Sequence, residues 1–257
     1  MLLFFLGNIL PYFAASAFLL GMAWRTWDWL NKPVPFPLTV SAAPGGIASH
    51  AFAVAAELTW FGSLYRGDRR LWLLAWLMHA SLLLILLGHL VGIALAAEQF
   101  RYFGASKEAS VRLSGLLGIS AGLVLVAALL ALSFRRMASE HVKRISALSD
   151  YLPLMLLLAV AGTGMAMRLL TAVDLADVRA YLAGLLLLSP RPLPDIPLFI
   201  VHFTAVNVLL LYFPYSKLVH LTGAAVSRSL LVQPPPVYPT PTGSQRTMPW
   251  ASRGGSP

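Results

Sequence analysis

The chain has 257 residues, of which 58% are hydrophobic and only 11% are charged. A soluble domain of this length cannot bury so much apolar surface, so the composition excludes an ordinary globular protein and indicates an integral membrane protein. The net charge of +9 does not call for a nucleic-acid partner, because the basic residues stand in loops and at the ends of apolar runs, where they set membrane topology.

The apolar runs predict an all-α integral membrane protein with five transmembrane helices, because each run is long enough to cross a bilayer and ends at charged residues or proline. The first run carries no Lys or Arg before its apolar stretch and is too long for a signal peptide, so we expect a retained span. The five predicted spans cover residues 2–24, 71–97, 111–134, 149–170 and 196–224.

The region between the first two spans is predicted to be a Pro-rich loop followed by a helix. Residues 31–46 form the loop, and residues 47–65, "IASHAFAVAAELTWFGSLY", form the helix. If this helix spanned the membrane, the arginines that follow it would fall outside the cell. We therefore expect it to lie on the cytoplasmic face as an interfacial helix.

The end of the chain differs in composition from the rest. Residues 1–225 form the predicted membrane domain, and residues 226–257 are rich in Pro, Ser, Thr and Gly. Such a segment cannot bury a core, so we expect a disordered cytoplasmic tail.

The distribution of Lys and Arg predicts the orientation. Thirteen of them follow the first, third and fifth spans, and six lie on the opposite side. The positive-inside rule then places the N-terminus outside and the C-terminus in the cytoplasm. We expect the cytoplasmic membrane of a bacterium or an archaeon, with lipid around the helices.

Four of the six histidines lie within predicted spans, where ionisable residues are rare and usually functional. His79 and His89 lie in the second span, and His202 and His220 lie in the fifth. A single membrane histidine is often explained by a hydrogen bond between helices. Two on each of two helices favour a cofactor. The remaining histidines, His50 and His141, are expected in cytoplasmic segments and not as ligands.

The antiparallel order of the second and fifth spans predicts how these histidines pair. His79 faces His220 near the cytoplasmic side, and His89 faces His202 near the outer side. Ten helical residues rise about 15 Å and eighteen about 27 Å, a mismatch that tilt and a kink at Pro214 would absorb. Each pair could ligate the iron of a haem b, with both axial positions filled.

Two other hypotheses about the function remain open at this point. The protein could be a transporter that uses the histidines as a proton or metal relay, or it could be a structural anchor. The interiors of the spans contain no Asp or Glu, which argues against the transporter. The absence of cysteine excludes disulfides, covalently attached c-type haem and cysteine-bound iron–sulfur clusters in this chain.

Small residues near the histidines would give a flat porphyrin room. Gly88 and Gly92 flank His89 at four-residue spacing. Plain helix packing is an equally good explanation for the glycines of the third span, Gly115, Gly118 and Gly122.

The segment "FPYSKLVH" at 213–220, His202 upstream of it and the ten-residue spacing of His79 and His89 resemble the gamma subunit family of respiratory nitrate reductase. Between the first two spans, "TVSAAPGG" and "AAELTWFGSLYRGDRRLWLLAWLMHASLLL" look more like the related DsrM branch, the membrane subunit of the DsrMKJOP complex. The resemblance covers most of residues 1–225, and in that family the histidines pair as the antiparallel order predicts.

The resemblance implies a dihaem cytochrome b that exchanges electrons between the quinone pool and a cytoplasmic iron–sulfur subunit. Further subunits of a Dsr-type complex are implied as well, and terminal catalysis would lie on another chain. Either direction of electron flow and either nitrate or a sulfur compound as terminal substrate is compatible. By this resemblance Arg112 would bind quinone beside the haem at the outer side. Lys107 is a competing candidate, and Arg112 could equally be an ordinary cation at a helix end.

Overall fold

The computed structural model describes residues 1–31, 47–95, 98–171 and 173–231, and within these ranges every regular element is a helix. Five helices are long and apolar enough to cross a membrane: Leu2–Asn31, Arg69–Gly92, Lys107–Ala138, Leu148–Leu170 and Pro197–Tyr215. This confirms the predicted all-α fold with five candidate spans. In chain order the helices are α1 (Leu2–Asn31), α2 (Ile47–Trp60), α3 (Gly62–Gly67), α4 (Arg69–Leu87), α5 (Lys107–Ala138), α6 (Glu140–Arg144), α7 (Leu148–Leu170), α8 (Leu175–Leu186), α9 (Pro197–Tyr212) and α10 (His220–Leu231).

The five long helices pack as a chain of neighbours. Helix α4 packs on α5, α5 on α7, α7 on α9, and α9 on α1. In the described part of the chain, α4 and α9 do not pack closely on each other. The two helices that carry histidines are therefore held by their neighbours, with room between them for side chains and a ligand.

Helix α8 packs against the start of α9 and the start of α1. Its Val178, Tyr181 and Leu185 form a buried cluster with Phe199 of α9. The Tyr181 hydroxyl donates a hydrogen bond to the carbonyl oxygen of Gly7, and burial raises the pKa of Tyr181, which keeps that hydroxyl a donor. Helix α8 is thereby fixed next to Gly88–Leu95, the π-helical continuation of α4.

The helix predicted over residues 47–65 is divided at Phe61. This residue adopts a left-handed backbone conformation, with φ of 51°, which ends α2 and starts α3. The indole N–H groups of Trp72 and Trp76 donate to the carbonyl oxygens of Trp60 and Thr59, at 2.8 and 3.2 Å. These bonds satisfy carbonyls that the end of a helix leaves without partners, and they fix α2 to α4.

The span predicted over residues 196–224 is also divided. Helix α9 ends at Tyr212, two 3-10 turns follow over Phe213–Tyr215 and Lys217–Val219, and His220 begins α10. Pro214 has no N–H to continue a helix, and Ser216 is extended. The predicted kink within one helix is therefore a break between two. It resolves the mismatch in rise, because only the segment from His202 to Tyr212 climbs as a helix, and its ten residue steps rise about 15 Å.

Two predicted segments lie outside the described residues. These are the Pro-rich loop, of which residues 32–46 are not described, and the tail from residue 232 onward. Helix α10 continues to Leu231 and so crosses the predicted boundary between residues 225 and 226.

Candidate functional site

The first histidine pair, His79 and His220, joins α4 to the start of α10. The Nε2 atoms of the two rings lie 3.5 Å apart. The ring centres are 5.8 Å apart, and the ring planes cross at 83°. These residues are 141 positions apart in the sequence, and the folded chain brings them together as the antiparallel order of the spans predicts.

The second pair, His89 and His202, joins the π-helical continuation of α4 to α9. The ring centres lie 6.5 Å apart, and the planes are inclined by 25°. The pair lies ten residues further along α4 than the first, which corresponds to a rise of about 15 Å. All four predicted histidines thus form two pairs at two levels of the bundle.

The hydrogen bonds of the rings determine which nitrogen of each faces its partner. His79 Nδ1 lies 2.7 Å from the carbonyl oxygen of Ala75, and His89 Nδ1 lies 2.8 Å from that of Ile85. A carbonyl oxygen only accepts, so Nδ1 of the neutral ring carries the proton and Nε2 holds a lone pair. His220 and His202 follow the same rule, with Nδ1 at 2.8 Å from the carbonyl oxygen of Lys217 and 3.1 Å from that of Val160.

Two Nε2 lone pairs that face each other cannot form a hydrogen bond, since neither nitrogen has a proton to donate. An electrophile between them would turn this arrangement into a favourable one. An iron bound by two imidazoles separates their nitrogens by roughly 4 Å, since a metal–imidazole bond is about 2 Å long. The ring centres would then lie roughly 6.3 Å apart, close to the 5.8 and 6.5 Å of the two pairs.

The donor set suits a metal that brings its own equatorial ligands. Among the residues that the structure describes, no group of three or more His, Asp or Glu side chains could hold a bare ion. Each pair supplies two imidazole nitrogens, one from each ring, which could bind a metal from opposite sides. A porphyrin iron requires this number and placement of protein ligands when both axial positions are filled.

A network of ions holds His220 in place. Asp150, at the start of α7, has a side chain that is 7% exposed, and it forms ion pairs with Lys217 and with Arg136, the latter at 3.6 Å. Lys217 supplies the carbonyl oxygen that binds His220 Nδ1. The turn before α10 is therefore attached to α7, and this attachment directs the ring of His220 toward His79. This network could not be predicted from the sequence, because its members are 14 to 81 residues apart.

Two further contacts surround the pairs. The ring of Phe61 packs edge-on against that of His79, with centres 5.1 Å apart, which gives the left-handed residue between α2 and α3 a role beside the site. At the other level, the Thr163 hydroxyl oxygen lies 3.1 Å from His202 Nδ1. Sequence reasoning missed Thr163, although "GTG" at 162–164 is a polar and small interruption of an apolar helix.

The other predicted site residues lie at the level of the second pair. A Cβ built on Gly88 would meet no atom of the described residues within 4 Å, so this position has the open space that a ring edge needs. Arg112 is exposed on α5. Ser114 on the same helix accepts a hydrogen bond from Gln99, whose amide lies 3.2 Å from a Cβ built on Gly92. Arg112 is therefore at the same end of the bundle as His89.

Lys107 and the two remaining histidines are placed differently. Lys107 pairs with Glu98 at 3.6 Å, and Glu98 also accepts from Arg101 at 2.8 Å. These cations lower the pKa of Glu98, with the hydrogen bond from Arg101 as the largest cause. His50 lies on α2, and His141 lies on the short helix α6. Neither ring contacts the two pairs in the described structure.

The amino-acid sequence of the chain is similar to a family of membrane subunits and to several known proteins. The family described as "Nitrate reductase gamma subunit" matches residues 57–239. The Hdr-like menaquinol oxidoreductase cytochrome b-like subunit of Archaeoglobus fulgidus is 30% identical, over 86% of this chain and 77% of that protein. Its counterpart in Archaeoglobus profundus is 26% identical, over 83% of this chain and 74% of that protein.

The nitrate reductase gamma chain of Bacillus subtilis is 26% identical, over 56% of this chain and 69% of that protein. The family match covers both histidine pairs and the "FPYSKLVH" segment, so the predicted resemblance is confirmed. The DsrM branch stays a prediction. The chain belongs to the nitrate reductase gamma subunit family.

Proposed function

We propose that this chain is the membrane dihaem cytochrome b subunit of a quinone-linked oxidoreductase complex. His79 and His220 ligate one haem b, and His89 and His202 ligate the other. The single observation that carries the proposal is the geometry of the pairs. In each ring Nδ1 is bound to a carbonyl oxygen, which leaves Nε2 as an acceptor. In the first pair the two Nε2 atoms lie 3.5 Å apart, and in the second the ring centres lie 6.5 Å apart.

A haem whose two axial positions are filled by histidine cycles between ferrous and ferric states and transfers electrons without binding a substrate. The protein's part is to orient the four rings and to separate the two pairs along α4. Gly88 leaves space for a macrocycle beside His89. The two levels would carry electrons across the membrane between a quinone and a partner protein.

The quinone end is assigned to the second pair. The Archaeoglobus relatives are named as menaquinol oxidoreductase subunits, and a quinone carbonyl accepts hydrogen bonds. Arg112 is the better donor of the two predicted residues, because the charge of Lys107 is compensated by Glu98. A guanidinium in a poorly screened site would also stabilise a developing anion.

The partner at the other end is a cytoplasmic iron–sulfur subunit. The chain has no cysteine, so it holds no cysteine-bound cluster itself. The DsrM-like segment between the first two spans favours a Dsr-type complex with further subunits. The proposed location is the cytoplasmic membrane of a bacterium or an archaeon, with the N-terminus outside. Reporter fusions after residues 30, 104 and 225 test this orientation: a periplasm-active reporter should work only at 104, and activity at 30 would overturn it.

The test of the haem assignment is replacement of each histidine by Ala, followed by pyridine haemochrome analysis of the purified protein. The wild type should contain two haems b with b-type bands in a reduced-minus-oxidised spectrum. Each of the four variants should retain one haem. His79→Ala and His220→Ala should lose the same haem, and His89→Ala and His202→Ala should lose the other.

The matched controls are His50→Ala and His141→Ala, which remove an imidazole outside the pairs and should leave both haems bound. Retention of both haems in all four pair variants would sink the assignment. A colourless wild-type protein would favour the relay or the structural anchor.

A further inference from the structure

His202 differs from the other three paired histidines in what holds its ring. His79, His89 and His220 each direct Nδ1 to a carbonyl oxygen three or four residues earlier in their own segment. His202 directs Nδ1 to two oxygens of another helix, the carbonyl of Val160 and the hydroxyl of Thr163, each at 3.1 Å. Among the four paired rings, that of His202 is therefore the one whose Nδ1 is bound directly by a neighbouring helix.

The acceptors belong to one face of α7. Val160, Thr163 and Gly164 follow a spacing of three and four residues, which places them together on a helix surface. The Thr163 hydroxyl lies 2.7 Å from the carbonyl oxygen of Ala159, to which it donates. Its proton is thereby used within the helix, and its oxygen is left to accept from His202. A hydroxyl that donates in this way is also a stronger acceptor.

Gly164 completes this face because it has no side chain. A Cβ built on Gly164 would lie 3.1 Å from His202 Cε1, closer than ordinary van der Waals contact. A Cβ built on Gly162, two residues away on the same helix, would meet no atom of the described residues within 4 Å. The two glycines thus differ in function: the His202 ring requires the absence of a side chain at position 164 but not at position 162.

We propose that Val160, Thr163 and Gly164 form a cradle for the His202 ring and that Thr163 is a positioning residue that lowers the reduction potential of the haem held by His89 and His202. This inference rests on the proposed function. A ring whose Nδ1 proton is shared with an additional acceptor donates more electron density through Nε2. Greater donation favours ferric over ferrous iron, and second-shell hydrogen bonds are one of the means by which a protein sets a haem potential.

The effect should be confined to one haem. Nδ1 of His220 is bound by the carbonyl oxygen of Lys217, and Nδ1 of His79 by that of Ala75, so a change at Thr163 leaves the first pair's hydrogen bonds intact. The other haem of the same molecule is therefore an internal reference in every measurement.

The test is a potentiometric titration of purified full-length Thr163→Val, which keeps the shape of the side chain and removes the acceptor. At the wild-type midpoint of the second-pair haem, its ratio of oxidised to reduced iron should fall roughly threefold to tenfold. That change corresponds to an upward shift of about 30–60 mV for one electron. Thr163→Ser should restore the wild-type value. A shift of both haems, a shift of neither or failure of Ser to rescue would overturn the role of Thr163.

A second pair of variants tests the cradle by packing. Gly164→Ala should displace the His202 ring and lower retention of the second-pair haem, while Gly162→Ala should match the wild type in haem content and spectrum. Wild-type haem content and spectrum in Gly164→Ala would overturn the cradle. A wild-type protein without haem overturns the proposed function and this inference together. Two haems with an unmoved potential in Thr163→Val overturn the inference alone.

Discussion

At the first pair the two imidazole planes cross at 83°, and at the second they are inclined by only 25°. His220 stands at the start of a helix, after a break in the chain, and ions attach that turn to α7. His202 lies inside the continuous helix α9, and its Nδ1 contacts the carbonyl oxygen of Val160 and the hydroxyl of Thr163 on α7. The same helix, α7, therefore supports both ligands by different chemistry.

This difference shows how one helical bundle could hold the two proposed haems by different means. The first pair depends on a network of ion pairs around Asp150, at the start of α7. In the second pair, the ring of His202 depends on neutral hydrogen bonds with Val160 and Thr163 of α7. Changes at one level should therefore leave the other intact.

The largest expected effect is on quinol oxidation and is obtained with Arg112→Ala. Removal of one charge-assisted hydrogen bond costs about 1.5–3 kcal/mol, so quinol-dependent haem reduction should slow roughly tenfold to a hundredfold. Both haems should stay bound, and stopped-flow absorbance of the haems measures the rate. This result would assign quinone chemistry to the level of the second pair.

The matched control is Lys107→Ala, whose cation is already paired with Glu98. It should react at the wild-type rate. A slow Lys107→Ala protein beside a normal Arg112→Ala protein would transfer the role to Lys107. If both react normally but Phe61→Ala, beside His79, is slow, the quinone site belongs to the first pair.

The next largest effect is a lower affinity for the haem of the first pair, and we expect it in Asp150→Asn. The change removes the shared partner of Lys217 and Arg136, and Asp150 is mostly buried although Lys217 is 67% exposed. We expect a loss on the order of 1–2 kcal/mol, between the values for exposed and buried pairs. Release of the haem ligated by His79 and His220 to apomyoglobin should then become favourable by a factor of roughly 5–30.

Glu140→Gln is the control for this experiment, since Glu140 forms only an exposed ion pair with Lys143 at 3.9 Å. It should release haem as the wild type does. Equal loss of both haems in Asp150→Asn would show that the two levels are not independent and would break the comparison.

The hydropathy of the sequence could predict the five spans, because a run of apolar residues has only one stable way to cross lipid. The same reasoning placed His79 opposite His220 and His89 opposite His202, since antiparallel helices allow one order of levels. It predicts a single span over residues 196–224, because the apolar character continues through Pro214 and Ser216. Their backbone preferences, together with the close fit of Pro214 against Gly21, produce the break.

What the sequence could not predict depends on contacts between distant segments. Thr163 and Gly164 resemble ordinary interruptions of a membrane helix until α9 brings His202 against them. Asp150 resembles a capping residue at a helix start, which it also is, since it accepts from the backbone N–H of Ala147 at 3.0 Å. Its attachment to Lys217 follows only from the fold.

A smaller effect is a loss of stability at low pH at the start of α4. Asp68 caps α4 by accepting from the N–H of Leu71 at 2.9 Å, and it pairs with Arg135 at 3.1 Å. The hydrogen bond from Leu71, followed by the charge of Arg135, lowers the pKa of Asp68. A lowered pKa in the folded state gives stability that is present above the ordinary carboxyl pKa of about 3.9 and is lost as the pH falls through the folded value.

We therefore expect the thermal midpoint in detergent to fall between about pH 4 and pH 3 by more in the wild type than in Asp68→Asn. Asparagine is as good a helix cap but does not titrate, so only the pH-dependent part is removed. An equal fall in both proteins would assign the loss to other carboxylates.

The last prediction requires no substitution, because the angles between the imidazole planes of the two pairs can be compared in the wild-type protein. When the two axial imidazole planes of a ferric haem are parallel, they split the iron d orbitals strongly, and when they are perpendicular their effects nearly cancel. The first pair, at 83°, should therefore give the more anisotropic low-spin signal, with a larger maximum g value than the second pair, at 25°.

Electron paramagnetic resonance of the oxidised protein measures both signals, and His220→Ala and His202→Ala assign them. The signal that survives in His202→Ala should have the larger maximum g value. The reverse order would mean that haem binding rotates the rings away from these angles, and the structural difference between the two levels would then lie in their supports and not in their ligand planes.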